Sequence, residues 1–247
     1  MRTQNILLGI ALFLAVVQTS CIRVDLEGDW IHGKGSLVER ELTLEEFSAI
    51  ENSGSFNVIV SQGSDQKVVA VGNANIIEHL NTSVEDGFWN ICLDRGSYSF
   101  FDLTIYVTIP EVESLELSGS GDINLNEFNQ DLAPEIIING SGSFEMNEFE
   151  SARELVVNMN SSGSFYAERH VNCFEKLTVR VSGSGSFHGY NIEVNDCKAS
   201  TSGSGSCYVY AAGTLDASIS GSGSIRYKGS PEVFSNDNGS GRLVHVD

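Results

Sequence analysis

The stretch GDWIHGKGS, residues 28–36, comes close to a phosphate-binding loop, with Gly28, Gly33 and Lys34 at the required intervals. Such a loop cradles phosphate oxygens on backbone N–H groups and needs a Ser or Thr after the lysine to hold magnesium. Gly35 stands there instead, with no apolar strand before it and no helical pattern after it, so the stretch reads as a near miss. The sequence GSGD at 119–122 touches on the glycine-rich calcium nonapeptide, which needs an aspartate in every turn to supply oxygen ligands. The equivalent positions are Asp122, Ser143, Ser164, Ser186, Ser206, Ser224 and Arg242, and a single acid cannot build a calcium ladder.

The many serines raise the possibility of a hydrolase. A nucleophile elbow places glycines two residues either side of its serine, whereas here they lie one residue away. His32, His79, His170, His188 and His245 show neither metal-pair spacing nor a neighbouring nucleophile and read as surface residues. Glycoside chemistry needs clustered carboxylates. Glu145, Glu148, Glu150, Glu168 and Glu193 could share a side, but without basic partners they read as a solvated face. No catalytic residue, cofactor or metal is therefore expected.

The whole chain sets further limits. It holds 14 Lys and Arg against 33 Asp and Glu, a net charge of −19, which argues against nucleic acid as a partner. Residues 1–20 have a basic start, an apolar run from Ile6 to Val17 and small residues after it, the pattern of a signal peptide. Cys21 follows Thr19 and Ser20, as at a bacterial lipoprotein cleavage site, so it is expected to carry the lipid that ties residues 21–35 to the membrane. Export permits disulfides without requiring them. Cys92, Cys173, Cys197 and Cys207 form no CxxC or zinc spacing, and all of them are expected to be free thiols.

The elements that would position any site come from a repeat. Copies of an SGSGSF-like phrase put glycines at 121, 142, 163, 185, 205, 223 and 241, at intervals of 21, 21, 22, 20, 18 and 18. A period near 20 marks a solenoid, and Gly54, 67 residues before Gly121, reads as an earlier copy with room for about three divergent turns between. Two places after the glycine stand Phe56, Ile123, Phe144, Phe165, Phe187, Cys207, Ile225 and Leu243. Four before it stand Ile50, Leu117, Ile138, Met159, Val181, Thr201 and Ile219, and six before it Leu115, Ile136, Val157, Val179, Ala199 and Ala217. These period-2 columns are strands with one buried face. The odd columns read as polar, with a serine directly before each glycine facing out. Stacked in parallel, the apolar columns become internal ladders. The tail NGSGRLVHVD would cover the C-terminal end.

The phrases FSAIENSGSFNVIVSQGSDQKVVAVG, VEDGFWNICL and LTIYVTIPEVESLELSGSGDINL, read with the repeat, resemble the putative auto-transporter adhesin head GIN-domain family over residues 36–247. The resemblance implies an all-β fold, a right-handed parallel β-helix, in an exported bacterial lipoprotein of the cell envelope, anchored at the outer membrane. It implies adhesion or envelope assembly as the role and brings no catalytic residues. The organisation expected is a signal peptide (1–20), a lipidated tether (21–35) and one β-helical domain (36–247). Partners are the membrane, through lipid on Cys21, and a protein or glycan ligand. Tyr190, Tyr208, Tyr210 and Tyr227 fall near successive corners, where exposed rings could stack on sugars. That makes a carbohydrate-binding module the alternative reading.

Cys21→Ala is expected to leave the chain unacylated and released from the membrane fraction. A variant that stays membrane-bound, together with no acyl group on the native N-terminus by mass spectrometry, would overturn the lipid anchor.

Overall fold

The computed structural model describes residues 30–150, 152–169, 171 and 174–247. Residues 1–20, read as a signal peptide, and Cys21 lie outside them. The chain forms a β-solenoid of parallel rungs, and its register repeats the spacing of the glycines: Ser143 pairs with Ser164, Ser164 with Ser186, Ser186 with Ser206 and Ser206 with Ser224. One sheet stacks Phe88–Ile91, Ala49–Asn52, Ser114–Leu117, Glu135–Ile138, Glu154–Met159 and Lys176–Val181. A second stacks Leu103–Ile109, Asn57–Gln62, Ile123–Asn129, Ser143–Glu150 and Ser164–Ala167. The long strands Ser186–Thr201 and Ser206–Ile219 cross both sheets, and Ser224–Lys228, Glu232–Asp237 and Arg242–His245 complete the stack.

Like residues stack on like. Phe144, Phe165 and Phe187 form a buried column with ring centroids 5.6 and 4.7 Å apart. Phe128, Phe149 and Phe174 form a second column at 6.3 and 5.8 Å. Outside, Asn139 donates to Glu116 (2.7 Å), Asn160 to Asn139 (2.9 Å) and Ser182 to Asn160 (2.8 Å), a hydrogen-bonded ladder on the solvent face. Ser120, Ser141, Ser162, Ser184, Ser204 and Ser222 are all exposed. At the corners the glycines have ordinary negative φ, so handedness does not require them. A Cβ on Gly140 would strike the carbonyl oxygen of Gly119 on the rung below, and one on Gly142 that of Gly121. The corner backbones are simply too close for a side chain.

The N-terminal half departs from the expected repeat. Ser114–Leu117 pairs directly with Ala49–Asn52, so no divergent turns lie between these two copies. The intervening residues build a cap. Leu37–Leu42 runs antiparallel to Lys67–Asn73, which runs antiparallel to Leu103–Ile109. A single helical turn, Ala74–Ile77, buries Ile76 and Ile77 over the end of the core beside Trp89 and Leu80. The register of the first copy is also two residues from the one read in the sequence: Val58, not Phe56, pairs with Ile123, and Gly54 underlies Gly119. The rung beneath replaces the tight corner with residues 92–102, so a phenylalanine fits where later copies need glycine. Asn52 takes the ladder position of Leu117 and is fully buried. Its amide donates to the Phe56 carbonyl (2.9 Å) and its oxygen accepts from the Gly54 N–H (3.0 Å), so the polar group is satisfied.

Other expectations are corrected at the edges. In the segment read as a tether, residues 31–34 are docked: Ile31–His32 pairs with Tyr98–Ser99, and the Lys34 N–H donates to Asn75 at 2.9 Å. The C-terminal tail is part of a further rung rather than a cover, because Arg242–His245 pairs in parallel with Ser224–Tyr227. Cys197 and Cys207 are free, buried ladder thiols, and burial pushes both up to about 12. Cys92 is disulfide-bonded, contrary to the expectation of a free thiol. It sits in the cap, where the ladder columns that make a cysteine a small hydrophobe do not run. Cys173 lies outside the described residues.

Phe187→Ala is expected to cost about 3–5 kcal/mol, the range for a buried phenylalanine. Ser141→Ala should change stability by less than about 0.5 kcal/mol. Gly142→Ala, of similar size, should cost about 1–3 kcal/mol or more, because the rungs must part. Urea melts of the three variants check the order, and equal effects at Ser141 and Gly142 would contradict the corner contact.

Candidate functional site: an aromatic and cationic face

The solenoid turns every outward column into a row along its axis. The column three residues after the corner glycine runs Asn124, Glu145, Tyr166, His188, Tyr208, Arg226. Tyr166 stacks on His188 and His188 on Tyr208, each with centroids 4.7 Å apart and planes within 10°. The Arg226 guanidinium lies 6.0 Å from the centre of the Tyr208 ring. A second row begins two residues further on. Tyr210 pairs with Lys228, while the Tyr190 ring meets Tyr208 edge-on at 5.5 Å and has the Lys228 ammonium 5.1 Å from its centre. Both contacts fall within the range for attraction between a cation and a ring face.

The electrostatics of the face follow from this packing. Burial pushes Tyr190 above its usual pKa, the charge of Arg226 opposes that shift, and Tyr208 adds to it. Burial also lowers His188, which keeps the middle ring of the stack neutral near pH 7. Arg226 and Lys228 make no ion pair among the described residues. Neither does Arg242, which follows Ser224 in register and so lies on the next rung, diagonal to Arg226.

Of the tyrosines singled out in the sequence, Tyr190, Tyr208 and Tyr210 meet on this face. Tyr227 does not join them. It follows Val209 in a core column, packs half-buried against the core and stacks on His245 at 4.8 Å. Tyr166, His188, Arg226 and Lys228 were missed. The signal was present in the column three after the glycine, hidden by reading the odd columns as uniformly polar.

The other candidates separate. Glu148 does have a basic partner, since Arg169 reaches it at 2.6 Å, and Glu145 accepts from Asn124 at 2.8 Å. At the opposite end of the solenoid, a cluster not read from the sequence joins His79, Asp94 and Tyr98. Partial burial works against the Asp94 carboxylate, but hydrogen bonds from Tyr98 and His79 outweigh it and hold its pKa below the usual value. Asp94 also donates its N–H to the His79 carbonyl at 2.7 Å, so the cluster clasps a cap loop to the helical turn. A trough of about 470 Å³ lies across the corner from the aromatic face, lined by Asn158, Asn160, Arg180, Val181, Ser200 and Ile219 among others. Among the described residues no three His, Cys, Asp or Glu side chains gather as metal ligands, and no helix is long and apolar enough to cross a membrane.

Solved structures share the fold. A putative adhesin from Bacteroides fragilis is 22% identical with a TM-score of 0.79, covering 87% of this chain and 100% of its own. A putative lipid binding protein from Parabacteroides distasonis is 23% identical with a TM-score of 0.71, covering 89% of this chain and all of its own. A putative adhesin from Parabacteroides merdae is 20% identical with a TM-score of 0.68, again over 89% of this chain and all of its own. No curated protein matches. Residues 46–231 match the family described as "Putative auto-transporter adhesin, head GIN domain", and with most of the chain covered and the solenoid in place, this protein belongs to that family.

Proposed function

We propose that this chain is a non-enzymatic, adhesin-like binding scaffold held at the bacterial envelope by lipid on Cys21, and that its ligand-contacting surface is the face of Tyr166, His188, Tyr190, Tyr208, Tyr210, Arg226 and Lys228. The observation that carries the reading is the alignment of these rings in stacked rows on a rigid sheet. Rings held in rows lose little side-chain freedom on contact, which favours affinity. Membership of an adhesin family supports a surface location. A lipid at Cys21 would leave the solenoid projecting from the membrane, with the aromatic face toward the C-terminal end and away from the cap where the tether docks.

Cells carrying the full-length chain should adhere to immobilised ligands from a panel of polysaccharides and extracellular proteins. Replacing Tyr208 and Tyr210 together by Ala should lower that adhesion by about tenfold or more, as loss of aromatic anchors does. Protease resistance of the variant should match the parent, because both side chains face out. Undiminished adhesion of the double variant would mean that another surface makes the contact.

A further inference from the structure

Half of the described Lys and Arg side chains of this protein pair with a carboxylate. Lys176 pairs with Glu154 (2.8 Å), Arg169 with Glu148 (2.6 Å), Lys67 with Glu41 (3.6 Å), Lys198 with Asp216 (3.7 Å) and Arg153 with Glu175 (3.8 Å). With 33 acids in the chain, a carboxylate partner is easily supplied. Arg226, Lys228 and Arg242 have none among the described residues, as is true of Lys34, Arg95 and Arg180, but register gathers the first three on the last rungs of one face. Two of them lie against tyrosine rings rather than against acids. Glu193, in register with Tyr210, puts one acid at the head of the row that continues through Tyr210 to Lys228.

We propose that this face binds an acidic polysaccharide, with Tyr190, Tyr208 and Tyr210 stacking on sugar rings and Arg226, Lys228 and Arg242 taking the carboxylate or sulfate groups. The proposal rests on the reading of this face as the ligand surface and names the ligand class. A sugar acid presents an apolar ring face and an anion within one residue, which is the pairing that Tyr190 with Lys228 and Tyr208 with Arg226 offer. The rows advance at the strand spacing of about 4.8 Å, so an extended polymer along the axis meets rings on the rungs of Tyr166, His188 and Tyr208 and then cations on those of Arg226 and Arg242. The surrounding net charge of −19 disfavours nucleic acid, whose binding depends on broad phosphate neutralisation. Beyond a Debye length of about 8 Å the acidic protein repels polyanions weakly, so recognition depends on these direct contacts.

The test uses the detergent-solubilised full-length protein. The probes are polygalacturonate, its fully methyl-esterified form, dextran sulfate, dextran, polyglutamate and phosphatidylglycerol vesicles. At least one acidic polysaccharide should bind about tenfold or more tighter than its neutral counterpart, a difference of 1.4 kcal/mol. The double variant Arg226→Gln with Lys228→Gln should lose that preference, and Tyr208→Ala should weaken acidic and neutral forms alike. Equal affinity for acidic and neutral forms, with Tyr208→Ala still weakening both, overturns acid recognition while leaving the aromatic face as the contact surface. Polyglutamate or vesicles bound as tightly as the polysaccharides also overturn it, since charge alone would then suffice. If no polysaccharide binds, the proposal fails, and the adhesion of the Tyr208 and Tyr210 double variant decides separately whether the face contacts another ligand.

Discussion

The structure depends on how closely the corner backbones of successive rungs can approach. Corner N–H groups donate to carbonyls one rung below, Ser141 to Gly119 at 3.0 Å and Ser204 to Gly183 at 3.1 Å, and this contact leaves no volume for a Cβ. Where Ser161 replaces a glycine, its hydroxyl bonds the Gly140 carbonyl, and the approach at Gly163 relaxes. A Cβ there would sit 2.7 Å from the Gly142 carbonyl oxygen, a wider gap than at the other corners. The contact is therefore adjustable by one small side chain, and no larger one appears at the corners from Gly119 to Gly241.

Close corners lock the rungs in register, and register creates the functional surface. Because each rung repeats the one below at the strand spacing, a residue type repeated in one column becomes a continuous row. Inside, the rows are aliphatic and phenylalanine ladders that bury the apolar surface driving folding. Outside, the same geometry makes an asparagine and serine ladder on one side of the corner and a row of rings on the other. No loop or cleft is needed, since the sheet itself holds the side chains in place.

The two ends of the stack are treated differently. An open solenoid rung exposes unpaired backbone groups that invite pairing with other chains. At the N-terminal end the antiparallel strands Leu37–Leu42 and Lys67–Asn73 extend the sheet with a change of direction, and Ile76, Ile77 and Leu80 fill the core opening. In the rung of Glu232–Asp237 two of the three inward columns turn polar instead: Ala217 is followed by Ser235 and Ile219 by Asp237, while Leu215 is followed by Val233. Polar side chains at core positions do not favour a further apolar layer.

From the glycine intervals and apolar columns alone, the sequence determined the parallel solenoid, its rung length, the buried Phe144–Phe165–Phe187 column and the exposed serine row. These are properties of short repeated strands, where period-2 alternation decides which side chain is buried. It also pointed to Tyr190, Tyr208 and Tyr210. The cap could not be read, because the rung of Phe88–Ile91 and Leu103–Ile109 carries no glycine phrase and the antiparallel pairing of Leu37–Leu42 and Lys67–Asn73 depends on contacts distant in the chain. The register of the first copy was misread for a related reason: Phe56 fits in place of a glycine only because a loop replaces the tight corner beneath it, a fact about the neighbouring rung. Likewise, only tertiary structure showed that Tyr227 belongs to a core column, that Cys92 is bonded, and that Arg226 and Lys228 stand against rings rather than acids. Local alternation specifies which way a side chain points, but which side chain it meets is decided by the rung stacked upon it.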